Sequence, residues 1–216
     1  MKSVVSFIAV LALLVGSAFA QAAPAAKKAT LSTTFAPYVV GSITTAPGAA
    51  GQNYTIGVGL ERNTSRFYFD GSGVYSTALV TANPGQPHVG LFTLQGYYKV
   101  FGHVLAGGGA TAVLNTGAIK TPKQFVDSAR AQANPFVGAG LEFGRFRSIA
   151  SYQIPSRGAG VPEQIKFSLN NELALTRYIR FTVPLVISSY QTSPLKSLGG
   201  QRVTVAQAGA GIKVVF

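Results

Sequence analysis

The chain has 216 residues, of which 47% are hydrophobic and only 11% charged, whereas about a quarter of an ordinary soluble domain is charged. After the first twenty positions no run of about 18 apolar residues occurs, which excludes a helical membrane protein, and the lack of cysteine excludes a disulfide-stapled secreted fold. The formal charge of +12 comes from 18 Lys and Arg against 6 Asp and Glu. Its densest cluster is Lys27 and Lys28, not the basic stripe of a nucleic-acid binder, and lipid phosphates are the better-matched anions.

The first element in chain order is Met1 to Ala20. It has a basic start at Lys2, an apolar run through Val15 and an Ala-x-Ala-like close at Ala18 to Ala20, the features of a signal peptide cleaved after Ala20. An uncleaved anchor would need a longer apolar stretch. Residues 21–29 form a short connecting segment, and 30–216 are expected to be one domain.

Within 30–216 the dominant signal is period-two alternation, bounded by clusters of Gly, Pro, Asn and Ser. It predicts about ten strands, near 30–44, 52–62, 66–79, 89–101, 103–115, 134–144, 146–155, 164–177, 179–191 and 202–216. Most are 10–14 residues long, enough to cross a bilayer when tilted. The first is the weakest, because Pro37 interrupts it, which keeps eight strands open as an alternative.

The connections alternate in length. TTAPGAAG, VTANPGQP, NTGAIKTPKQFVDSARAQAN, PSRGAGVPE and TSPLKSLGGQ read as long loops, whereas RNTS, FG, GR and RY read as tight turns. All long loops then lie at one end of the sheet and both termini at the other, the arrangement of an even-stranded barrel. A weak repeat, GVGLE at Gly57 to Glu61, GAGLE at Gly138 to Glu142 and GAGIK at Gly209 to Lys213, puts two glycines and a charge on one face each time.

Charge placement tests the faces. Glu61, Asp70, Lys99, Glu142, Arg147, Lys166, Glu172, Arg180 and Lys213 lie within strands, and all have the parity opposite to the aliphatic and aromatic residues. A basic residue facing lipid at mid-bilayer costs about 2–4 kcal/mol, so the apolar face is expected to meet lipid and the charged face a lumen. Glu61, Lys99, Glu142, Arg147, Glu172, Arg180 and Lys213 all map toward the short-turn half with both signs present, and are expected to pair across a narrow lumen. Arg177 and Arg202 have the outward parity but lie at strand ends, where long side chains reach head groups. Tyr54, Tyr75, Tyr98 and Phe143 suit interfacial girdles.

With its leader, its alternating strands and the closing AGAGIKVVF, the chain resembles bacterial outer-membrane β-barrel proteins. The resemblance spans the mature chain and implies an all-β, antiparallel up-and-down transmembrane β-barrel. It also implies residence in the Gram-negative outer membrane, periplasmic termini, extracellular long loops, and recognition of Ile212, Val214 and Phe216 by the barrel-assembly machinery. The motif is generic and names no activity.

Chemistry beyond the barrel is sparse. With two histidines and no cysteine, no metal or cofactor site is expected, and no G-x-S-x-G elbow occurs. Omptin-like proteases and lipid A deacylase-like barrels set the comparison for an enzyme. The sequence offers only His88 and Asp127 at the long-loop end and His103 and Asp70 at the other, so no enzymatic activity is expected. The leading expectation is a structural or surface-interaction barrel. Lys120, Lys123, Arg130, Lys196 and Arg202 make its loop side basic, which suits either lipopolysaccharide phosphates or ordinary solvation. A narrow channel, a barrel-embedded hydrolase and a soluble secreted β-protein are the alternatives.

Overall fold

The computed structural model describes residues 32–46, 49–77, 89–153, 164–191 and 202–216. The leader, the 21–29 segment, His88 and Lys196 lie outside them, as does the side chain of Arg202. Ten antiparallel strands close into one barrel, each paired with its neighbour in sequence and the last with the first. They are β1 Ser32–Ala46, β2 Ala49–Asn63, β3 Phe67–Ser76, β4 Val89–Val100 and β5 Val104–Asn115, followed by β6 Ala133–Phe143, β7 Phe146–Gln153, β8 Gln164–Ala174, β9 Ile179–Gln191 and β10 Arg202–Val214. The eight-strand alternative is thereby excluded.

Pro37 costs ladder donors, not the strand. Phe35 exchanges both backbone hydrogen bonds with Phe216, so alternation turns the missing N–H of Pro37 toward β10, and the continuous β1–β10 register begins only at Tyr38. Pro184 does the same from the other side, because the β9–β10 register skips Gly209 and Ala210.

The registers determine the size of the cylinder. A path perpendicular to the strands runs from Thr33 through Arg62, Phe69, Gly96, Gly108, Val137, Tyr152, Phe167, Ile187 and Ala206, and returns to β1 at Thr45, twelve residues along. For ten strands that stagger means a tilt of about 40° and a backbone diameter of about 20 Å. A strand of 11 residues, such as β6 or β8, then rises about 28 Å, close to the thickness of a hydrocarbon core.

The pleat sends one parity in and the other out. Val39, Ile56, Leu60, Phe69, Leu94, Val137 and Ile212 are all exposed large apolar residues on the outer wall, Leu94 at 70%. The tilt brings Phe35, Phe67, Tyr98, Phe143 and Phe216 to one level at the short-turn end, and Tyr54 and Tyr75 toward the other end. Ser148 donates to Asn171 Oδ1 (2.8 Å) and Asn171 Nδ2 to the Val183 carbonyl (3.3 Å), so this outward polar pair satisfies itself.

Two expectations about connections are corrected. Most of TTAPGAAG is strand: pairing runs on to Ala46 opposite Ala49, leaving two residues between β1 and β2. The 116–132 connection carries a turn of 3-10 helix at Thr116–Ala118 and an amphipathic helix, α1, at Pro122–Ala131. Thr121 and Gln124 cap α1 reciprocally and Pro122 starts it. The helix packs against β5, with Phe125 edge-on to Phe92 at 4.9 Å, and the outward-facing Ala112 and Leu114 at that end of β5 are buried. The outer wall is therefore covered by protein in one place.

Candidate functional site

A cluster of charges crosses the lumen at the short-turn end. Seven strands supply one member each: Glu61 from β2, Lys99 from β4, Glu142 from β6, Arg147 from β7, Glu172 from β8, Arg180 from β9 and Lys213 from β10. The structure brings all seven together.

Lys213 Nζ stands 2.5 Å from both Glu61 Oε1 and Glu172 Oε1. Arg180 Nη1 lies 2.5 Å from Glu61 Oε2 and 3.5 Å from Glu172 Oε2. Arg147 donates from Nε to Glu142 Oε2 at 3.0 Å, while its Nη1 lies 3.4 Å from Glu172 and 3.7 Å from Glu61. Lys99 completes the chain on Glu142 Oε1 at 2.6 Å. Register alone does not account for this pairing. Glu142, Arg147 and Glu172 are direct cross-strand neighbours, yet Lys213 lies opposite Arg180, a like-charge pair that costs energy unless acids are shared between its members. Glu61 and Glu172 are those acids. Lys213 reaches Glu61 across β1, whose inward residue between their register partners Tyr38 and Thr34 is the small Ala36.

Three members of the site lie outside the seven residues expected to pair across the lumen. Tyr68 receives the Arg147 guanidinium on its ring face at 3.9 Å. Asp70, opposite Glu61 in register, accepts from Gln95 Nε2 at 2.8 Å, and Gln95 Oε1 accepts from the Tyr97 hydroxyl. The Oδ1 of Asp70 has no hydrogen-bond partner. Asn63 donates to Glu142 at 3.4 Å. The usable signal was parity, since Asp70 shares the face of Glu61. With Asp70 the layer holds four acids and four cations and is neutral overall.

Above the charges lies an apolar layer of Tyr68, Tyr97, Leu105 and Ile149. The glycines of the repeat make room here, as a methyl at Gly57 would overlap the Tyr38 ring and one at Gly138 the Tyr97 hydroxyl. Toward the loop end polar pairs enter the lumen beside the inward Val40, Val89 and Phe136, with Ser42 accepting from Gln207 (2.7 Å), Thr93 bonded to Thr111 (3.2 Å) and Ser151 to Ser168 (2.6 Å). Lys166 is the exception. It faces inward between Gln153 and Ser188 without an acid partner among the described residues. Asn170 faces the lumen and is exposed. The lumen is filled at the short-turn end by the charge cluster and the apolar layer above it.

Ile212 and Phe216 are exposed on the outer wall and Val214 shares their face, while Val215 is buried on the inner side. Asp127 is exposed on α1, and His103, in the β4–β5 turn, stacks on Phe143 with its Nδ1 3.2 Å from the Glu142 carbonyl oxygen. These two are not brought together. No group of three metal-ligating side chains occurs among the described residues.

No protein-family model matches the chain. No curated protein matches it either. Among solved structures it is similar to Neisserial surface protein A, at 9% identity over 87% of this chain and 100% of that one, with a TM-score of 0.34. It is also similar to a de novo designed transmembrane β-barrel, at 9% identity over 88% and 100% with a TM-score of 0.33. A third is Ail, the attachment invasion locus protein of Yersinia pestis, at 10% identity over 85% and 97% with a TM-score of 0.31. Likeness at these values assigns neither a family nor an activity.

Proposed function

We propose that the chain is an integral barrel of the Gram-negative outer membrane, closed to solutes at its short-turn end. Its role is structural or surface-interacting, through the loop end, and it is not an enzyme. The observation that carries this reading is the plug: three glutamates and four cations from seven strands, bonded into one chain across the lumen. A lumen near 20 Å across at the backbone is narrow enough for side chains to fill, and the apolar outer wall needs a solvent other than water. Residence in the outer membrane draws on the leader and the alternating strands. The terminal strand, with Ile212, Val214 and Phe216 on the lipid side, is the segment the assembly machinery would read. Lys120, Lys123 and Arg130 around α1 give the loop end a basic surface suited to lipopolysaccharide phosphates.

Planar-bilayer recording tests the reading. Pure folded protein is expected to give no steady openings, and large, persistent conductance would overturn the closed lumen in favour of a channel. A gel of membrane fractions, in which the unheated sample migrates faster than the boiled one, is expected for a lipid-embedded barrel. Extraction without detergent would reject it in favour of a soluble β-protein.

A further inference from the structure

The plug changes what the outside of the barrel must do with its charge. Of the six acids in the sequence, Glu61, Asp70, Glu142 and Glu172 are in the lumen and matched there by four cations. Asp127 is on α1, at the opposite end. Glu163 falls between β7 and β8 in sequence, outside the described residues. The outer surface of the short-turn end therefore carries no acidic side chain among the described residues.

It does carry four arginines. Arg62 closes β2 on the outward face, Arg66 lies in the β2–β3 turn, Arg145 in the β6–β7 turn and Arg177 in the β8–β9 turn. All four are exposed. None has an acidic side-chain partner among the described residues, and Arg177 rests 4.4 Å from the centroid of Tyr178. A guanidinium does not shed its proton, and its fork matches phosphate oxygens two at a time. No acidic side chain among the described residues supplies their countercharge.

The surroundings of these arginines identify it. They ring the end of the barrel where Phe35, Phe67, Tyr98, Phe143 and Phe216 lie at one level, the pattern of a membrane boundary. The β4–β5 turn adds Phe101, 92% exposed at a left-handed φ of 51°, with Gly102 following at 77°. A phenylalanine so placed is unfavourable in water and favourable among head groups.

We propose that this rim is a belt that binds lipid phosphates and selects anionic phospholipids in the leaflet at the short-turn side. Arg62, on the outward face of β2, and Arg66, Arg145 and Arg177, in the adjoining turns, are its contacts. Zwitterionic lipids are weaker ligands because their own ammonium competes with the guanidinium for the phosphate. The inference rests on the membrane-barrel reading and adds to it a lipid class and a side.

The test uses the full chain in phosphatidylcholine vesicles doped with spin-labelled phosphatidylglycerol or spin-labelled phosphatidylcholine, reading the immobilised fraction of each by electron spin resonance. The parent is expected to enrich phosphatidylglycerol several-fold, less so at high salt. Arg62→Gln/Arg66→Gln/Arg145→Gln/Arg177→Gln is expected to bring the ratio near unity, whereas Lys120→Gln/Lys123→Gln/Arg130→Gln at the other end keeps it. No enrichment in the parent, an unchanged ratio in the quadruple variant, or loss in the loop-end variant would overturn the belt. The faster-migrating unheated band, checked on the same samples, reports barrel formation, so that failure of the membrane reading is seen separately.

Discussion

Replacing Glu61 by Gln removes one charge from the plug at nearly constant volume. Glu61 is 2% exposed and stands 2.5 Å from both Lys213 and Arg180. In the variant Lys213 keeps Glu172 at 2.5 Å and Arg180 keeps it at 3.5 Å, but four cations then face three acids where water is scarce. Breaking a buried ion pair by removing one partner costs about 3–5 kcal/mol, a large share of the about 5–15 kcal/mol of a typical fold. With a urea slope of about 2 kcal/mol per molar, the unfolding midpoint in lipid or detergent, followed by far-ultraviolet circular dichroism, is expected to fall by about 2 M. Adding Lys213→Met restores neutrality, so the double variant is expected to lose less than the two single losses combined. A loss below about 0.5 kcal/mol for Glu61→Gln, the range of an ordinary surface change, would show that the cluster is not a stabilising unit and would refute this account of the plug.

Lys166→Met removes a lumen cation that has no acid partner among the described residues, so the same assay is expected to show a neutral or stabilising change; a loss comparable to that of Glu61→Gln would reveal a missed partner. Leu94→Arg places a cation at mid-height on the outer wall and is expected to cost about 2–4 kcal/mol in vesicles, measured by reversible folding, whereas no cost would mean that this wall does not face lipid. Thr121→Ala removes the side-chain half of the capping box of α1, a local loss of about 1 kcal/mol. Faster amide exchange confined to 116–132 is the expected readout, with the barrel amides unchanged.

The strands were legible because alternation of period two is the direct imprint of a wall with two unlike sides, and the charges made each parity explicit. β4, β5, β6 and β9 lie within about one residue of their expected ends. What failed did so for local reasons. The β8–β9 turn spans Leu175 to Tyr178 because Thr176 Oγ1 accepts from the amides of Tyr178 and Ile179, whereas RY alone was expected. TTAPGAAG reads as a loop by its Pro, Gly and Ala, yet small residues pair readily at the end of a long hairpin. The helix in the long connection was signalled by Thr121 and Gln124, three apart, but with Phe125 and Val126 as its only large apolar residues it offered no strong period of 3.6. For the site, parity identified which residues share the lumen. Which acid serves which cation depends on the tilt, and tilt follows from registers that no single strand encodes.

The two proline-made gaps have a further consequence, for assembly order. Nine of the ten pairings join consecutive strands and can form as local hairpins, while the tenth joins residues such as Val39 and Ile212 from opposite ends of the sequence. Until β10 docks, the sheet has two open edges, and both seams that must receive it lack a donor, at Pro37 and at Pro184. Lys213, carried on that last strand, joins Arg147 and Arg180 in bridging Glu61 to Glu172. Closing the cylinder and completing its ionic bridge are thus a single late event, and a chain stalled before it would present bare edges prone to pairing with other chains.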